Sequence, residues 1–191
     1  MAADIDIINA ALSKLGEQTL LAVTDPSPPG RLANRTYADI RDALLREFPW
    51  NFATKRASLA ADPVAPTWGF ERKFNLPSDC LRVVELNNDA DEDWRNEGRT
   101  IVTDITAPLQ IIYIGSAQVD AMDSTFREAL AARLAMEWAE PLSQTSSVVS
   151  AMSALYKNKL RVARVADGHE DSTREVSAPS FINARFISLA R

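Results

Sequence analysis

The sequence predicts an α+β fold, mainly α: an antiparallel helical bundle, a small antiparallel β-rich subdomain inserted into it, and an extended C-terminal tail. Three observations carry this. Near both ends of the chain, apolar residues recur at steps of three and four. Between about residues 50 and 122 that period gives way to short β-rich runs between turns. After residue 168 apolar side chains persist without a sustained period. The boundaries read this way are 3–48 plus 123–167 for the bundle, 49–122 for the insertion and 168–191 for the tail.

Ile5, Ile8, Ala11, Leu12 and Leu15 form one helical face, with Asp4 as N-cap and Gly16 as stop. A loop rich in Pro, Asp and Ser follows. Ser27 before Pro28 starts a second helix, whose stripe is Ala33, Tyr37, Ile40, Leu44 and Phe48. Pro49 ends it, because the residue before proline avoids helical geometry. The run Ala53–Leu59 is consistent with a helix extension or with a first strand. "KFNL" leads into a turn at Pro77-Ser78-Asp79. "CLRVVEL", "RTIVTD" and "LQIIYIG" read as strands, broken by the acidic "NNDADED" and by a turn near Ala107-Pro108. An antiparallel meander is the simplest arrangement of such strands.

Helical period returns at Asp123, where Thr125 and Glu128 have capping-box spacing. Phe126, Leu130, Leu134 and Trp138 line one face. Ala131, Ala135 and Ala139 form a small-residue row that admits a neighbouring helix, and Pro141 kinks or ends the segment. A fourth helix carries Val149, Met152, Tyr156, Leu160 and Ala163. Lys157, Lys159, Arg161 and Arg164 are placed in its last turns, against the negative end of the helix dipole.

A chain of 191 residues is long enough for a real core. The net charge of −5 argues against a free nucleic-acid binder, which would show a basic face. No apolar run approaches the roughly 18 residues of a membrane span, and the N-terminal "MAADIDIINA" lacks the basic start of a secretory signal. Cys80 is the single cysteine, which suits a reducing compartment and a small buried residue on a strand. His169 is the single histidine, in an expected solvated loop, so His/Cys metal clusters and Ser-His-Asp triads do not arise within one chain. The "DADED" run lacks the glycine and terminal glutamate of a calcium loop. No cofactor is expected. The enzymatic alternative is a cell-wall or polysaccharide hydrolase built on a Glu/Asp pair. Glu128, Glu137 and Glu140 share a helix, but they read more simply as its polar face. A helical regulatory or scaffold protein is a further class.

Five stretches, taken in order, carry a resemblance: "ALSKLGE", "YADIRDALLREFPWNFATKRASLA", "FNLPSDCLRVVEL", "LQIIYIG" and "FREALAARLAMEWAEPL". Together they resemble the head-to-tail adaptor proteins of tailed bacteriophages, most closely the tail tubular protein A family, over about residues 5–167. The resemblance implies a non-enzymatic ring, commonly dodecameric, at the head–tail junction of the virion, made in the host bacterial cytoplasm. Its partners would be the portal protein above, a downstream tail or nozzle protein below, and double-stranded DNA passing without sequence specificity. No membrane is involved. In this setting "PWNFA" marks the exit from the helices, with Trp50 and Phe52 as a structural hinge. Phe181, Ile182, Asn183, Arg185, Phe186 and Ile187 are the residues expected to dock on the portal or a neighbouring subunit. In this tail Phe181, Ile182, Phe186, Ile187 and Leu189 are too many apolar residues for a free solvated end.

Overall fold

The structure, a computed structural model, describes residues 3–86, 92–143 and 145–170. Four helices and six strands give an α+β, mainly helical protein. The order is α1 (Asp4–Leu15), α2 (Pro28–Glu47), β1 (Thr54–Leu59), β2 (Arg72–Asn75), β3 (Cys80–Leu86), β4 (Trp94–Glu97), β5 (Thr100–Thr103), β6 (Leu109–Gly115), α3 (Ser124–Ser143) and α4 (Ser146–Glu170).

The helix starts follow local chemistry, with two corrections. The cap of α1 is Ala3, not Asp4. The Asp6 carboxylate accepts from the Ala3 N–H at 2.8 Å, which frees Asp4 to accept from the Tyr37 hydroxyl of α2 at 2.6 Å. Gly16 ends α1 in the left-handed region at φ 76°, where a Cβ would be strained. Asn9 then clamps the following loop. Its side chain donates to the Leu20 carbonyl at 2.9 Å and accepts from the Leu20 N–H at 2.7 Å. Ser27 caps α2 by accepting from Gly30 N–H at 3.2 Å. Gly30 is required there, because a Cβ would lie 2.3 Å from the Asp25 carbonyl oxygen.

At α3 the cap is Asp123 rather than Thr125. Its carboxylate accepts from the Thr125 N–H at 2.6 Å and from the Thr125 hydroxyl. An ionised acceptor two residues upstream outcompetes the threonine. Glu128 turns away to pair with Lys159 of α4. Pro141 lies inside α3, which ends two residues later at Ser143.

α3 is the central helix. Phe126, Leu130, Leu134 and Trp138 are buried, and so are Ala131, Ala135 and Ala139. It packs most extensively on α4, then α1, then α2. Trp138 donates its indole N–H to Thr36 of α2 at 3.0 Å. α4 runs further than its sequence suggests, to Glu170. Two expectations change as a result. Lys157, Lys159, Arg161 and Arg164 lie before the last turn; Lys159 pairs with Glu128, Arg161 with Asn158 and Arg164 with Glu47, rather than with the helix end. His169 is exposed but helical, in the last turn rather than in a loop. Residues 168–170, assigned to the tail, belong to α4.

The middle of the chain is β-rich but not a meander. All strand pairs are antiparallel, yet they form two three-stranded sheets, ordered β1-β6-β3 and β2-β5-β4. Ala53–Leu59 resolves into a single 3-10 turn at Asn51–Ala53 followed by β1. β4, Trp94–Glu97, has no apolar alternation to announce it; all four residues are exposed. The strand β6 links two cores. Leu109, Ile111 and Tyr113 belong to the core of the β part, with Phe74, Ile101 and Ile105. Ile114 belongs to the helical core. The "DADED" run lies largely outside the described residues; of it, only Glu92 and Asp93 are described, both exposed.

Candidate functional site at the helix–sheet junction

The chain leaves α2 through Phe48-Pro49-Trp50-Asn51-Phe52, and four aromatic rings gather there. Trp50 is 1% exposed and packs edge-on to Phe48 at 5.0 Å and to Phe126 of α3 at 4.9 Å. Phe52, half-buried, stacks on Trp50 at 6.2 Å and meets Phe126 at 4.9 Å. Each such pair adds about 0.5–1.5 kcal/mol beyond area burial. The Trp50 indole N–H donates back to the Leu44 carbonyl at 3.2 Å, one of the carbonyls left open at the end of α2. Both expected hinge residues therefore sit where the helical core meets β1.

Asn51 and Asp79 extend this junction, and sequence reasoning assigned neither a role. The Asn51 backbone N–H donates to the Asp167 carboxylate at 2.9 Å, and its side-chain amide donates to the Asp167 carbonyl at 2.8 Å. Asp167, in the last turns of α4, is buried. Asp79, in the turn before β3, accepts from Lys55 of β1 at 2.7 Å and from the Tyr113 hydroxyl of β6 at 3.3 Å. Lys55 also reaches the Ser116 carbonyl at 3.0 Å. Lys55, by its hydrogen bond and its charge, holds the Asp79 carboxyl below its usual range. Gly115 is tight here: a Cβ would lie 2.8 Å from the Lys55 side chain and 2.9 Å from Asp79. The available signal was position, since Asn51 stands inside "PWNFA" and Asp79 inside "LPSDC".

A third cluster closes the far side. Glu47, ending α2, faces Arg164 of α4 at 3.6 Å and Arg133 of α3 at 3.9 Å. Arg133 lies over the Tyr156 ring at 5.2 Å, and Arg164 over Phe48 at 5.5 Å. Burial, then the Glu47 charge, raises the Tyr156 hydroxyl above its ordinary pKa.

The residues considered for chemistry are not gathered into one site. Glu128 pairs with Lys159, and Glu137 pairs with Arg133 one turn earlier at 2.9 Å. Glu140 is exposed on the same helix. Cys80 is buried at the start of β3, and burial raises its thiol pKa. Among the described residues, no three of His, Cys, Asp and Glu come together as metal ligands, and no helix is long and apolar enough to cross a membrane. Phe181, Ile182, Asn183, Arg185, Phe186 and Ile187 lie outside the described residues.

Two surface features were not anticipated. Large apolar side chains stand in solvent on loops, with Leu21 97% and Trp68 87% exposed. The outer face of the first sheet holds a hollow of about 450 Å³, bordered by Arg56, Ser58, Glu85, Gln110 and Ile112. Neither a protein-family model nor a curated protein matches this chain.

Proposed function

We propose that the protein is a structural head-to-tail adaptor of a tailed bacteriophage. It forms a ring, dodecameric in the reading advanced here, between portal and tail. The ring extends the DNA channel and is the platform to which the next tail component attaches. In this reading the four helices make one discontinuous antiparallel bundle, residues 3–48 with 123–167. The β-rich part, 49–122, projects from it, and the residues beyond the bundle reach the portal or a neighbouring subunit.

One observation carries the reading. Two of the stretches that together carry the resemblance, those containing "PWNFA" and "LPSDC", supply polar and aromatic contacts at the helix exit and at the turn before β3: Trp50, Phe52 and Asn51 from the first, Asp79 from the second. A subunit that must repeat around a ring needs a fixed angle between the part that packs and the part that projects. Buried aromatic contacts and a doubly hydrogen-bonded Asn51 supply one. The acidic balance, −5, also favours a channel that lets DNA slide over one that binds phosphates tightly.

The test is negative-stain microscopy of the purified full chain with and without portal rings. Discs stacked on the portal, with a continuous axial channel, support the proposal. Portal rings that remain bare at saturating protein overturn it.

A further inference from the structure

A sheet edge presents a row of backbone groups that a further strand can pair, and folds guard such edges. The edge strands here are β1 and β3 in one sheet, β2 and β4 in the other. On β3 the Cys80 carbonyl accepts from Arg99 and the Leu81 carbonyl from Arg46, and the register with β6 shifts twice, between Cys80 and Arg82 and between Val83 and Glu85. On β2 the outer side takes a bridge from Ala61 to Phe74 and a bond from the Asp62 N–H to the Lys73 carbonyl. β4 is short, Trp94–Glu97. β1 differs from all three. Its register with β6 runs unbroken from Thr54 to Leu59, and no described strand pairs with its other side. Thr54, Arg56 and Ser58 are exposed. Lys55, a cation that could guard the edge, is held by Asp79 and the Ser116 carbonyl.

The chain carries a strand that suits this edge, and starts it in the right place. Asn51 is bonded twice to Asp167. β1 begins at Thr54 and α4 ends at Glu170, so both leave that tie within three residues. Residues 171–191, which lie outside the described residues, therefore set out from the Thr54 end of the open edge. At ~3.3 Å per residue β1 is about 20 Å long, whereas residues 171–180 reach roughly 33 Å when extended. That length brings Phe181 to either end of β1. Pro179 bars a helix from continuing across it. The stretch Ile182-Asn183-Ala184-Arg185-Phe186 then alternates apolar and polar residues, with no Gly or Pro from 181 to 191; this is the period of a half-buried strand. Beside β1, its apolar set extends the face of half-buried Ala57 and buried Leu59, and Asn183 and Arg185 extend the exposed face of Arg56 and Ser58.

We infer that in the free chain residues 182–186 fold back and add a fourth strand to the open edge of β1, by β-strand addition of the chain's own C-terminal segment. Backbone bonds to the edge and burial of Ile182 and Phe186 offset the entropy of ordering the segment. In the assembly reading the same segment leaves this edge to reach the portal or a neighbouring subunit, so the edge stays covered until assembly. The inference itself concerns the free chain and does not depend on that reading.

The experiment is residue-resolved amide exchange, by NMR, on the full chain without portal, at two protein concentrations. The wild type is compared with Phe186→Asp, which removes an apolar anchor, and Ala184→Pro, which removes an N–H and disfavours the strand. The Thr54–Leu59 amides that do not bond to β6 are expected to exchange at least tenfold more slowly in the wild type than in either variant, at both concentrations. The amides that join β3 to β6 are expected to be equally protected in all three chains, which shows the sheet intact. Edge amides that exchange as fast in the wild type as in both variants overturn the inference. Protection that rises with protein concentration also overturns it, because the edge is then filled by the tail of a second copy. Neither result bears on portal attachment, which the microscopy tests separately.

Discussion

Asn51 and Asp167 lie 116 positions apart and are joined twice, by the Asn51 backbone N–H and by its side-chain amide. The pair ties the exit from α2 to the last turns of α4. The 3-10 turn that starts the β part thereby inherits its orientation from the helix that ends the described chain. Removing the carboxylate leaves a backbone N–H without its partner. Asp167→Ala is expected to lower stability by about 1–3 kcal/mol. Asn51→Ala, which keeps the backbone bond, is expected to cost less. Chemical denaturation of both variants checks the order; equal losses would show that the backbone bond is not the main contact.

Trp50→Ala removes the centre of the aromatic cluster and opens a cavity that Phe48, Phe52 and Phe126 line. The expected loss is about 3–5 kcal/mol. Trp50→Phe keeps ring contacts but gives up the bond to the Leu44 carbonyl, so a smaller loss is expected. Denaturation curves for the pair measure it.

The Tyr37 hydroxyl is raised well above its ordinary pKa of 10.0, by burial first and then by its hydrogen bond to the Asp4 carboxylate. A folded-state pKa above the unfolded one means that its contribution is fully present below about pH 10 and is lost as pH rises beyond it. The wild type is expected to destabilise steeply in that alkaline range. Tyr37→Phe is expected to be less stable at neutral pH by about 1.5–3 kcal/mol, with a flatter alkaline limb. Parallel alkaline limbs would show that another group drives the loss.

Asp123 has the opposite sign. Hydrogen bonds from Thr125, side chain first, lower its pKa from 3.8. Its stabilisation is present above pH 3.8 and is lost as pH falls below that value. Asp123→Ala is expected to cost about 0.5–2 kcal/mol at pH 7 and progressively less as pH falls below 3.8. Thr125→Ala is expected to cost less at pH 7, because the acceptor is the carboxylate. Acid titrations of stability for both variants test the assignment.

Helices were legible because their signals are local. Gly16, Ser27 and Pro49 act through their own backbone geometry, and the stripe of α3 is periodic enough to name the buried face of the central helix. The sheet order was not legible. Strand partners depend on which chain segment lies beside β6, and the apolar alternation of β6 fits one neighbour as well as another. β4 escaped notice because an exposed edge strand needs no apolar face. The end of α4 was misplaced because Asp167, Gly168 and His169 look like a loop. The Asn51–Asp167 contact that holds them is visible only once both ends of the chain are in space. The hinge aromatics could be read from "FPWNFA". The roles of Asn51 and Asp79 could not, since each depends on a partner far along the chain. Trp68 was invisible as a surface feature because sequence alone does not distinguish an exposed tryptophan from a buried one.

The central claim is that many copies of this chain assemble in register on a portal. Native mass spectrometry of purified portal rings saturated with the full chain tests it most directly. The account predicts one dominant added mass, equal to a whole ring of subunits, with few partly filled species, because each docked copy presents the surface that seats the next. A ladder of sparsely occupied portals, or portal rings of unchanged mass, would contradict it.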